Sequence, residues 1–139
     1  MAKRSKIPVT NKDFEALKGK RIDRGTTHRR AFAVKGRPRW IMKVVPYKAL
    51  TLPNWTEWII WHNIRDTTLA AQFGECRHIS RTGRYLIMER LDDITISERD
   101  LCPDAPSWLK DAWYTNCGRN ADGEIKVRDY GNVDLSDVL

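Results

Sequence analysis

Five polar residues of this 139-residue chain carry groups able to do chemistry together: Lys43, Glu57, Asp111, Asn116 and Asp129. The last three follow one another at separations of 5 and 13 residues. Carboxylate and amide oxygens suit a hard cation such as Mg²⁺, and a lysine ammonium is a point charge for phosphate. Each member also has a plainer reading. Lys43 sits in WIMKVV, where side-chain alternation puts it on one face with Ile41 and Val45, a place from which a lysine can simply snorkel to water. Glu57 stands three residues after Asn54, the spacing of a capping box, and a glutamate folded back onto its helix start is not free to pair with a lysine. Asp129 opens DYG, which reads equally well as a turn.

The elements that must position these residues can be read from pattern. Residues 1–12, polar, basic and interrupted by Pro8, are expected to form a flexible arm or an early edge segment, and a short helical turn fits Asp13 to Leu17. Gly19, Gly25 and the alternation in RRAFAVKGRPRWIMKVV predict strands joined by turns, with a hairpin turn at KGRP, Gly36 and Pro38, between the second and third. WTEWIIWHNIRDTTLAAQF is the clearest helix, with Asn54 as its N-cap. GECRHIS and GRYLIMERL predict a second strand pair across an RTG turn; a loop-rich stretch follows, with a short helix around Trp108 to Trp113. GEIKVRDYG predicts a last strand, with Ile125 and Val127 alternating against Lys126 and Arg128. The chain has the size of one domain, residues 1–139, and no internal repeat.

A strand hairpin, a strand with a lysine, a helix with a glutamate, two more strands, a loop and a strand ending in Asp-aromatic-Gly is an order that resembles the protein-kinase-like fold. The resemblance spans roughly residues 19 to 131, and KDAWYTN and DYG are similar at their spacing to the catalytic loop and the DFG motif. It implies an α+β fold: a kinase-like N-lobe, an antiparallel sheet with one main helix, above a skeletal, truncated C-lobe. It also implies ATP and Mg²⁺ as cofactors. Lys43 would touch the inner phosphates and pair with Glu57, Asp111 would act as catalytic base, and Asn116 and Asp129 would be the metal ligands. Met88 would face adenine, Glu89 to Leu91 would supply backbone contacts to it, and Gly25 would lie over the phosphates. Short, degenerate frames of this kind resemble accessory proteins of phages and mobile elements that act on a host factor.

The sequence departs from the family in several places. RIDRGTTHRR holds Gly25 as the only glycine between Gly19 and Gly36, so Arg24, Arg29, Arg30, Thr26 and Thr27 are the groups left to meet phosphate from side chains. Leu109 and Lys110 stand where the family has His and Arg, and Trp113 stands for its lysine. Asp111 stands twenty positions after Leu91, and eight residues follow Gly131, too few for the family's usual helices and activation segment.

Charge is unevenly placed. Residues 1–48 hold 15 Lys and Arg against 3 Asp and Glu, and residues 49–139 hold 10 against 15, so the net +7 belongs to the front third. Such a front suits a nucleotide, an acidic protein or nucleic acid, with Phe32 and Trp40 available to stack on bases. No apolar run approaches the roughly 18 residues of a membrane span, and a soluble, cytoplasmic protein is expected. Cys76, Cys102 and Cys117 match neither a disulfide framework nor a zinc site, and His28, His62 and His78 have no metal spacing. Two functions stay open. One is a minimal ATP- and Mg²⁺-dependent phosphotransferase. The other is a catalytically inactive kinase-like protein that binds and inhibits a macromolecular partner through its basic front or through Trp55, Trp58, Trp61 and Trp113.

Overall fold

In a computed structural model, which describes residues 7–23, 29–46, 52–109 and 114–139, period-two alternation builds the main sheet. Its strands are β1 (Lys18–Arg21), β2 (Arg30–Val34), β3 (Trp40–Val44), β4 (Cys76–Ile79) and β5 (Tyr85–Glu89). They are antiparallel in the order β1-β2-β3-β5-β4, so β3 and β5 lie inside and β4 is an edge. Both expected hairpins form, with Gly36 (φ 70°) and Gly83 (φ 77°) supplying the left-handed turn residues. A second sheet holds β6 (Asp92–Asp93), β7 (Cys117–Arg119) and β8 (Ile125–Val127) in chain order. The protein is thus α+β, with a five-stranded antiparallel sheet, a three-stranded sheet and two main helices, α1 (Asn11–Leu17) and α2 (Leu52–Ile64).

The two faces of the main sheet are buried under different helices. Met42 and Val44 of β3 and Tyr85 and Ile87 of β5 meet Phe14 of α1. Ile41, Leu86 and Met88 point the other way and pack with Ile60 and Ile64 of α2, Phe73, Val127 and Tyr130. Lys43 follows Ile41 at a spacing of two and therefore faces α2, as alternation requires. No helix among the described residues is long and apolar enough to cross a membrane.

The described residues of the expected arm make contacts: Pro8 is buried, the Val9 carbonyl accepts from Arg81 N–H at 3.0 Å, and Thr10 and Asp13 cap α1 reciprocally. Two expectations are corrected. The long helix stops at Ile64, whose carbonyl takes both the Thr67 N–H (2.8 Å) and the Thr67 hydroxyl (2.6 Å), and a 3₁₀ turn follows over Thr68–Gln72. Asn54 is not an N-cap. It lies inside the first turn of α2, fully buried, and its amide donates to the carbonyls of Lys43, Gly83 and Arg84 at 3.3, 2.9 and 3.1 Å. The capping-box reading of Glu57 falls with it. The helix expected around Trp108 to Trp113 lies mostly outside the described residues.

Candidate functional site

Three elements converge on the Lys43 ammonium. It donates to both carboxylate oxygens of Glu57 at 2.9 Å, to the Arg128 carbonyl at 2.7 Å and to Asp129 Oδ1 at 2.9 Å. Glu57 is wholly buried and Lys43 nearly so, at 5% exposure, whereas 43% of the Asp129 side chain meets solvent. A second cation completes the group. Arg29, in the bend just before β2, contacts Glu57 Oε1, donates to Asn54 Oδ1 at 3.1 Å and lies 3.7 Å from Asp129 Oδ1. Two cations thus balance two carboxylates, and two of the four groups are held where water cannot reach, which requires that they be paired.

The DYG triplet is held in place by its own side chains. Tyr130 is buried edge-on against Phe73, centroids 5.1 Å apart, and its hydroxyl donates to the Gly74 carbonyl at 2.7 Å. A Cβ on Gly131 would come within 2.8 Å of the Pro53 carbonyl oxygen, so glycine lets this turn press against the first turn of α2. With those two residues anchored, Asp129 is delivered to Lys43. Burial raises the pKa of the Asp129 carboxyl, but the Lys43 charge and hydrogen bond, with Arg29 and Arg128, outweigh it and hold the group below the ordinary aspartate range. Burial, with Glu57 nearby, pushes the Cys76 thiol up to about 12 and the Tyr130 phenol well above its usual value, so both stay neutral beside the ion pairs.

Beyond Asp129 opens a cleft of about 300 Å³, lined by Arg29, Trp108, Leu109, Asn116, Asp129 and the residues that follow to Asp134, with Asp137. Asn116 ends the 3₁₀ turn Tyr114–Asn116, and its carbonyl accepts from Arg128 N–H at 2.8 Å, which ties it beside Asp129. Lys43, Glu57, Asn116 and Asp129 are therefore brought to one region, while Asp111 and Gly25 lie outside the described residues. Met88 is fully buried in the core beneath α2. The backbone expected to receive adenine is already bonded: Glu89 N–H to the Glu75 carbonyl (2.7 Å), Arg90 N–H to the Arg39 carbonyl (2.8 Å) and the Leu91 carbonyl to Arg128 (3.0 Å).

The candidate stacking rings are also engaged within the chain. Lys18 Nζ lies 4.9 Å from the Phe32 centroid, and the Arg77 guanidinium carbon lies 5.3 Å from that of Trp40. Trp55, Trp58 and Trp61 are half-buried on α2, and Trp113 is outside the described residues. All three cysteines are free thiols. Reading the sequence ranked Arg29 only among loop cations that could meet phosphate. Its salt bridge to Glu57 links residues 28 apart and leaves no local pattern to find. No protein-family model matches the chain, and no curated protein matches it.

Proposed function

We propose that this chain is a kinase-like nucleotide-binding protein that takes the phosphates of a nucleoside triphosphate, with Mg²⁺, at Lys43, Asn116 and Asp129. The observation that carries the proposal is the buried Lys43–Glu57 pair, 2.9 Å at both oxygens, with Asp129 on the same ammonium. A strand lysine oriented by a helix glutamate, beside a metal-binding aspartate, is the arrangement protein kinases require for phosphoryl transfer. The strand and helix order supports it too. Mg²⁺ is held by one or two carboxylates plus phosphate oxygens and water, so Asn116 and Asp129 on one cleft fit that need. Among the described residues no cluster of three or more His, Cys, Asp or Glu offers a metal site complete without such added ligands. If the protein transfers phosphate, Asp111 is the residue to orient the acceptor hydroxyl.

A second reading, a catalytically inactive kinase-like binder, draws on the engaged backbone at Glu89 to Leu91 and on the lysine already saturated within the protein. Calorimetric titration with ATP, with and without Mg²⁺, tests the first. Saturable, magnesium-dependent heat that disappears in Asp129→Ala is the expected result, and no heat at millimolar ATP overturns it. Binding without phosphate release, unchanged in Asp111→Asn, would select the second reading.

A further inference from the structure

We propose that the cleft between the C-terminal end of α2 and β4 docks an acidic peptide segment of a partner protein, through Arg37, Arg65 and Arg77. This cleft is separate from the Lys43 cluster, with a volume of about 700 Å³, the size of a binding pocket. Four successive residues, Glu75 to His78, line it. Side chains alternate along a strand, so four in a row can front one cleft only where the strand's edge faces it. β4 is that edge, and its register with β5 slips between Cys76 and His78, which makes Arg77 the residue a bulge re-aims. The Trp40 ring backs the Arg77 guanidinium from the sheet.

The arginines are poorly matched from within. Arg65 and Arg77 each expose 52% of their side chains, and their nearest carboxylates, Asp66 and Glu75, stand 3.8 and 3.7 Å away, beyond hydrogen-bond length. Guanidinium forks in that state retain donors for paired carboxylate oxygens. At the end of α2 the carbonyls of Trp61 and Ile64 are taken by the backbone N–H groups of Arg65 and Thr67. Burial, with Arg77 and Arg37 adding to it, lowers the pKa of His78, in keeping with a positive field in the cleft.

Charge also decides the occupant. The chain's own residues before Ile7 include Lys3, Arg4 and Lys6, the wrong sign for this cleft. Asp66 and Glu75 interrupt the arginines, which disfavours a continuous phosphodiester track of evenly spaced charges and leaves single carboxylates, set against the exposed sides of Arg65 and Arg77, as the better match. Ile7, 68% exposed at the rim, offers a protein partner an apolar contact.

The test is fluorescence anisotropy of a short labelled peptide of alternating Glu and Ala, at physiological ionic strength, with the full chain. Arg65→Gln/Arg77→Gln is compared with Lys12→Gln/Lys20→Gln, which removes the same charge from exposed sites elsewhere. Expected is a loss of about tenfold or more in the arginine variant and under about twofold in the lysine variant. Circular dichroism checks that both fold. Equal losses would show mere long-range attraction and overturn the proposal. So would no binding by the wild-type chain, or tighter arginine-dependent binding of single-stranded oligothymidylate than of the peptide.

Discussion

Replacing Lys43 by methionine keeps the length of the side chain and removes the ammonium that Glu57 faces at 2.9 Å through both oxygens. Glu57 has no exposed surface, so water cannot replace what is lost. Breaking one side of a buried ion pair costs about 3–5 kcal/mol. Arg29 still contacts Glu57 Oε1, which sets the expectation at the low end, about 3 kcal/mol. The Asp129 contact adds little, since that carboxylate is 43% exposed and rehydrates. Glu57→Met leaves Lys43 with Asp129 and the Arg128 carbonyl and is expected to cost a similar amount. In the double variant neither Lys43 nor Glu57 is left without the other, and Arg29, which loses Glu57 as it does in Glu57→Met alone, keeps Asn54 Oδ1 and Asp129, so the loss should be no more than about 3 kcal/mol, a coupling of about 3 kcal/mol. Urea titration followed by tryptophan fluorescence reads this: with slopes of about 1–3 kcal/mol/M, each single variant moves the midpoint by about 1–3 M, and the double moves it no further. Additive losses of about 6 kcal/mol would consume much of the 5–15 kcal/mol typical of a domain. That outcome would show that the two residues are stabilised separately and refute the pair as a unit.

Gly83 and Gly36 both have positive φ, but a Cβ at Gly83 would meet the Trp55 indole nitrogen at 2.0 Å while one at Gly36 meets nothing within 4 Å. Gly36→Ala should therefore cost about 1 kcal/mol and Gly83→Ala about 2–4 kcal/mol by thermal denaturation, and equal costs would count against the packing of Trp55 on that turn. The Asp129 carboxyl titrates below its ordinary value near 3.8, so it contributes stability above that pH, and the contribution is lost as pH falls through the folded-state value. Urea midpoints of wild type and Asp129→Asn should differ most near neutrality and converge in strong acid; a difference unchanged with pH would argue against the Lys43 contact.

The hairpins were legible because their signals are local. Alternation placed Lys43 on the Ile41 face, and Gly36 and Gly83 marked the turns. Asn54 misled for a physical reason: its type and its spacing to Glu57 fit a cap, but its amide serves the carbonyls of Lys43, Gly83 and Arg84, partners 11 to 30 residues away. β6 and β7 are two and three residues long, DD and CGR, and carry no pattern of their own. They are strands only because each finds a neighbour, Asp92 opposite Arg119 and Cys117 opposite Val127. The close approach of β7 to Leu91, where a Gly118 Cβ would come within 2.7 Å of that residue's backbone, is likewise visible only in three dimensions.

The Lys43 ammonium has three hydrogens and four acceptors within reach, so the cluster is oversupplied with oxygen. Which acceptor yields to a ligand follows from burial. Glu57, wholly buried, has no route to water when released, and an unsatisfied buried acceptor costs about 1–3 kcal/mol, more when charged. Asp129 keeps 43% of its side chain in contact with solvent, so water reaches it when it is released even though burial weighs on its charge. On the proposed reading this asymmetry gives the site its order of events. There a phosphate oxygen would accept the Lys43 hydrogen bond in place of Asp129, and the Asp129 carboxylate, with Asn116, would be the group to hold an accompanying Mg²⁺. Glu57, held by Arg29 as well, keeps the lysine aimed throughout. One displacement would then free both a cation and a carboxylate, while the buried half of the cluster stays fixed.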